Sequence, residues 1–120
     1  MPKIFEVLDP FKYESFITDL NQIAGEEGIV IDSNALKSVL APTSYYKDPK
    51  DKISCIVRGI IKNHAFSNGN KRTACLALLL LSKAGGIPVT LSSQELEKAL
   101  INIAKNQYSV ETISKILFNE

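Results

Sequence analysis

A chain of 120 residues, 45% hydrophobic and 22% charged, suits one compact domain (1–120) whose core needs neither disulfides nor a structural metal. These values exclude disordered, collagen-like and disulfide-scaffold classes. Fourteen Lys plus Arg against thirteen Asp plus Glu leave a formal net charge of +1, so a polyanion is not held by bulk charge and any anion recognition must be local.

In chain order, Pro10 opens a first helix whose apolar positions Phe16, Ile17, Leu20, Ile23 and Ala24 follow helical spacing, with Gly25 and Gly28 ending it. Asp32 or Ser33 caps a short second helix carrying Ala35, Leu36, Val39 and Leu40, which stops before Pro42. Asp48 followed by Pro49 is a strong start signal, a capping oxygen and then proline at the first helical position. From there Ile53, Ile56, Val57, Ile60 and Ile61 make one apolar face that ends near His64.

A fourth helix is predicted from Asn70 to Lys83, stopped by Gly85 and Gly86. Its stretch from Ala74 to Leu81 is apolar on every side, which places it at the centre of the domain. Residues 87–91 read as extended, at most one short strand or hairpin. Ser92 and Glu95 form a capping box for a fifth helix bearing Leu96, Leu100, Ile103 and Ala104. Ser109 starts the last, with Ile113, Ile116 and Leu117 facing inward. The fold class expected is all-α, a bundle of about six helices around a buried central helix.

The same apolar run is far too short to cross a bilayer, and the Met-Pro-Lys-Ile-Phe-Glu start leads into no long apolar segment. Cys55 and Cys75 sit among apolar residues as small core hydrophobes of a reducing compartment. A cytoplasmic protein without a membrane partner is expected.

The chemistry concentrates in the segment from His64 to Thr73, a polar turn that opens the most apolar helix. Backbone N–H groups at a helix start carry partial positive charge and suit phosphate. Gly69 lets the backbone come close to a ligand. Lys71 and Arg72 put two cations at the helix end where the dipole disfavours them, and a local rule broken at one spot marks function. Arg72 is one of only two arginines, and its planar fork matches phosphate. His64, the one histidine, can accept a proton near neutral pH. Phe66 reads as the anchor of the loop. A P-loop is excluded, because the upstream glycine, the Gly-Lys-Ser/Thr and the preceding strand are missing. A helix-turn-helix is disfavoured, because the would-be recognition helix is apolar after its first turn, so no direct nucleic-acid partner is expected.

The run His64-x-Phe66-x-x-Gly69-Asn70-Lys71-Arg72-Thr73-Ala74 resembles the signature of the Fic/Doc superfamily, and more narrowly its Doc (death-on-curing) branch of toxin–antitoxin toxins. The wider pattern is His-Pro-Phe-x-Asp/Glu-Gly-Asn-Gly-Arg-x-x-Arg. The resemblance implies a transferase that moves part of ATP to a protein hydroxyl, AMP in Fic enzymes and phosphate in Doc-like kinases, whose target is translation elongation factor Tu. By position it implies His64 as general base and Gly69, Asn70, Lys71 and Arg72 as the anion hole for the nucleotide. Arg72 would also neutralise charge during transfer, and position 68 would be the contact to Mg²⁺. Residues 41–47, with Tyr45 and Tyr46, correspond loosely to a flap that docks the target.

Three departures shape the expectation. Lys71 in place of the second glycine, and Cys75 in place of the second arginine, both run in the Doc direction and favour phosphoryl transfer. Asn68 stands where the family carries an acidic metal ligand, and a neutral amide is the poorer ligand for a hard cation. Adenylyl transfer, and an impaired member that binds nucleotide or partner without turnover, are the alternatives. Ser93 and Glu97 have the spacing of the family's self-inhibiting element, but Lys98 follows where Gly or Asn should stand. Restraint is therefore expected from an antitoxin acting in trans.

Overall fold

The computed structural model describes residues 17–19, 21–22, 34, 38–39, 41–63 and 69–118, and among them every regular element is helical. A 3-10 helix, Ala41–Tyr45, precedes α1 (Pro49–Asn63), α2 (Asn70–Ala84), α3 (Ser93–Lys105) and α4 (Val110–Leu117). Residues 17–19, 21–22, 34 and 38–39 are also helical, in agreement with the two helices expected upstream. The starts and ends of those two, from Pro10 to Gly28 and around Asp32 or Ser33, lie outside the described residues.

Local chemistry sets the starts. Asp48 Oδ1 accepts from the Lys50 backbone N–H at 2.9 Å, with Pro49 as the first helical residue. Ser92 and Glu95 close a reciprocal capping box on α3, and the Ser109 hydroxyl accepts from Thr112 N–H to start α4. The end of α2 is a Schellman turn: Gly86 is left-handed (φ 69°), its N–H bonds the Lys83 carbonyl at 3.2 Å, and the Ile87 N–H bonds the Ser82 carbonyl at 2.8 Å.

Among the described elements the centre of the bundle is α1 rather than α2. Ile53, Ile56, Val57, Ile60 and Ile61 are buried as expected, and Ser54, Cys55 and Gly59 on adjoining faces are buried too. This helix packs against α2, α3, α4 and the 3-10 helix. The all-apolar stretch of α2 buries Ala74, Ala77, Leu78 and Leu81 but leaves Leu79 43% and Leu80 45% exposed. Leu79 borders a groove, and Leu80 meets solvent. A side chain without polarity does not by itself specify burial; the number of packed neighbours does.

Close approach and cation staples hold neighbours onto α1. A Cβ at Gly59 would lie 3.0 Å from Val39 Cα, so the helical segment at 38–39 meets α1 almost backbone to backbone. Lys52 Nζ donates to the Thr43 carbonyl at 2.9 Å, Arg58 Nε to Tyr108 at 3.1 Å and Lys62 Nζ to Ala104 at 3.0 Å. Each satisfies a carbonyl at or near the end of a neighbouring element.

Residues 87–91 alternate half-buried Ile87, Val89 and Leu91 with exposed Pro88 and Thr90, but no strand forms among the described residues. The period-two pattern is present; a neighbouring strand to bond is not. In α3, Leu96, Leu100 and Ile103 are buried as expected, whereas Ala104 is exposed and Ala99 is buried instead. No described helix is long and apolar enough to cross a membrane.

Candidate functional site

The first turn of α2 gathers four of the residues singled out in the sequence. Gly69 is the cap, left-handed at φ 75° and ψ 20°, and it offers no side-chain oxygen to the N–H groups that follow. Asn70, Lys71 and Arg72 form the turn itself, with Gly69 and Asn70 half-buried and Lys71 and Arg72 exposed. No acidic side chain lies in that turn. Helix dipole and two cations thus add at one point, which is unfavourable for the helix and favourable for an anion. His64, Phe66 and Asn68 lie outside the described residues.

What fixes this turn is buried. The Gly69 carbonyl accepts from the Thr73 N–H at 2.9 Å and from the Thr73 hydroxyl at 2.8 Å. Thr73 is buried, and its Oγ1 accepts in turn from Asn21 Nδ2 at 3.0 Å, a partner 52 residues away. Apolar spacing, which marks the first helix in the sequence, does not single out Asn21. The available signal was its place four residues after Ile17, a polar residue on the apolar face of a helix.

Beside the turn lies a groove of about 420 Å³, within the usual size of small-molecule sites. One wall is α2, with Lys71, Arg72, Cys75 and Leu79. The other is α3, with Ser93, Leu96, Glu97, Leu100 and Ile101. Ser93 and Glu97, noted for their spacing, therefore face the basic turn across the groove. The exposed Leu79 is explained as part of its apolar floor. Burial pushes the Cys75 thiol up and pushes Cys55 up to about 11, the direction opposite to the one that activates a thiol. Tyr46 lines a smaller cavity of about 100 Å³ with Arg58 and Asn63, and burial raises its hydroxyl as well. Tyr45 beside it is 86% exposed. The expected flap at 41–47 is thus a 3-10 helix presenting one tyrosine outward.

A family model described as the Fic/DOC family matches residues 14–82, more than half of the chain. The chain belongs to the Fic/DOC family. No curated protein matches it. The family match spans Asn21, α1 and most of α2, so the whole hydrogen-bonded support of the Gly69 turn lies within it. The α3 wall of the groove lies beyond it. Fic/DOC proteins transfer nucleotide-derived groups to proteins and use ATP and Mg²⁺. No group of three His, Cys, Asp or Glu converges among the described residues of this Fic/DOC chain.

Proposed function

We propose that this Fic/DOC protein is a Doc-like toxin of a toxin–antitoxin pair. It transfers the γ-phosphate of ATP to a hydroxyl of a protein target, with translation elongation factor Tu as the target expected from the resemblance. The observation that carries the proposal is the first turn of α2, a left-handed glycine cap without a side-chain oxygen, followed by Lys71 and Arg72. Gly69, Asn70, Lys71 and Arg72 would hold the phosphates, and the adjoining groove has room for the rest of the nucleotide. Phosphoryl transfer depends mainly on positioning and charge stabilisation, which such a turn can supply.

In the proposed step the target oxygen forms a bond to the γ-phosphorus while the bond to the β-phosphate oxygen breaks. The hydroxyl proton goes to His64, and ADP leaves. Arg72 takes up the charge that grows on the transferred group. Lys71, a long cation where Fic enzymes carry glycine, favours this outcome over adenylyl transfer by changing how the triphosphate lies. Mg²⁺ accompanies the triphosphate, with Asn68 as its proposed protein contact. An antitoxin segment supplied in trans would restrain the enzyme.

The test is the intact mass of elongation factor Tu after incubation with this protein, ATP and Mg²⁺. A phosphate-sized gain, lost with His64→Ala, is expected; an AMP-sized gain would replace the kinase with an adenylyltransferase. Asn68 supports a second reading, a binder without turnover. Activity that arises only in Asn68→Asp would favour it.

A further inference from the structure

We infer that Asn21 is a positioning residue for the anion site, acting through Thr73 on the peptide that joins Gly69 to Asn70. Its functional meaning rests on the nucleotide-transfer reading above, but the arrangement can be tested without it.

The relay has a fixed direction. Thr73 has one hydroxyl proton, and with Gly69 O at 2.8 Å that proton is given to the carbonyl. Its oxygen is then left to accept, which is what the Asn21 amide at 3.0 Å provides. With the lone pair engaged, the hydroxyl cannot rotate away from Gly69 without giving up a bond in a place with little or no water. Asn21 is 1% exposed and Thr73 0%, so a polar group left without its partner there is costly. Donation by Asn21 also polarises the Thr73 hydroxyl and strengthens its bond onward.

Holding the Gly69 carbonyl does more than close the helix. A peptide unit is planar, and in the trans form its N–H points opposite to its C=O. The carbonyl drawn down the axis by both Thr73 donors therefore aims the Asn70 N–H out of the helix start. Gly69 sits at φ 75°, and glycine gives the chain the least intrinsic resistance to swinging that peptide. The flexible residue at the mouth of the site is thus the one tied from beneath. A helix needs no such support for its own stability.

The experiment compares Asn21→Leu and Thr73→Val, which remove the donor and the hydroxyl while keeping the branching of each side chain, with Thr73→Ser, which keeps the hydroxyl. Amide chemical shifts are read at Asn70, Lys71 and Arg72 and hydrogen exchange at Thr73, whose N–H is bonded to the Gly69 carbonyl, with Gly85, Gly86 and Ile87 at the other end of α2 as the internal reference. In folded Asn21→Leu and Thr73→Val, the first three amide signals should move and the amide at position 73 should exchange at least about tenfold faster while the reference amides hold, and Thr73→Ser should keep the native pattern. The Kd for ATP should weaken at least about tenfold in the first two variants alone. Unchanged amides at 70–72 in a folded Asn21→Leu variant would overturn the inference. If that variant does not fold, Thr73→Val carries the same comparison with the same meaning. A native protein that binds no ATP would instead remove the nucleotide reading, and the amide comparison would still decide the role of Asn21.

Discussion

Both ends of α2 turn on a left-handed glycine, Gly69 at φ 75° and Gly86 at φ 69°, yet they are finished in opposite ways. At the far end the backbone closes on itself. Gly85, Gly86 and Ile87 donate to the carbonyls of Leu81, Lys83 and Ser82, and Lys83 places its charge where the dipole welcomes a cation. At the near end the cap residue has no side chain to offer, two cations sit where the dipole repels them, and Asn21 and Thr73 give support from below. One terminus is completed for stability. The other is held from beneath and keeps two cations against the dipole, an arrangement that suits an anion better than it suits the helix.

That contrast breaks most sharply at Arg72. Arg72→Ala should lower transfer by roughly 10²–10³-fold, the size of effect seen when one transition-state donor is lost. Its urea midpoint should move little, since surface substitutions usually stay within about 0.5 kcal/mol. Initial rates with labelled ATP and a denaturation curve on the same sample measure both. A large loss of stability with transfer intact would make Arg72 a structural residue and erase the difference between the ends.

The two glycines sharpen it further. Alanine at either position must adopt a left-handed backbone, at a cost of roughly 1–2 kcal/mol. Nothing lies within 4 Å of a Cβ placed at Gly86, so Gly86→Ala should show that strain alone, with transfer unchanged once the protein is folded. Gly69→Ala should show comparable strain together with weakened ATP binding, because the methyl group stands at the mouth of the site. Equal effects on binding from the two variants would mean that Gly69 is only a turn residue.

How far these features could be read from sequence follows how local they are. Asp48 with Pro49, Ser92 with Glu95, and Ser109 announce their helices because the capping bond spans two or three residues. The basic turn at Gly69–Arg72 is legible for the same reason. Whether Leu79 is buried depends on where α3 lies, and no window along α2 contains that information. Residues 87–91 carry a strand pattern, but a strand exists only with a partner. Ala99 and Ala104 both fit the helical period from Leu96, and a methyl group is too small to decide between faces. Asn21 is the hardest case, since its meaning comes from a threonine 52 residues away.

The smallest expected effect concerns charge alone. Lys71 and Lys83 are both exposed lysines in the terminal turns of one helix, so they differ mainly in the sign of the dipole they meet. A cation in a terminal turn is worth about 0.3–1 kcal/mol at low ionic strength, favourable at the C-terminus and unfavourable at the N-terminus. Lys83→Gln should therefore destabilise slightly and Lys71→Gln stabilise slightly, with both changes shrinking as salt is raised. Differential scanning calorimetry at low and high salt reads the sign. Two changes of the same sign would show that the dipole does not govern this helix, and that Lys71 needs no function to explain its position. Opposite signs would mean that Lys71 is kept at some cost to the fold.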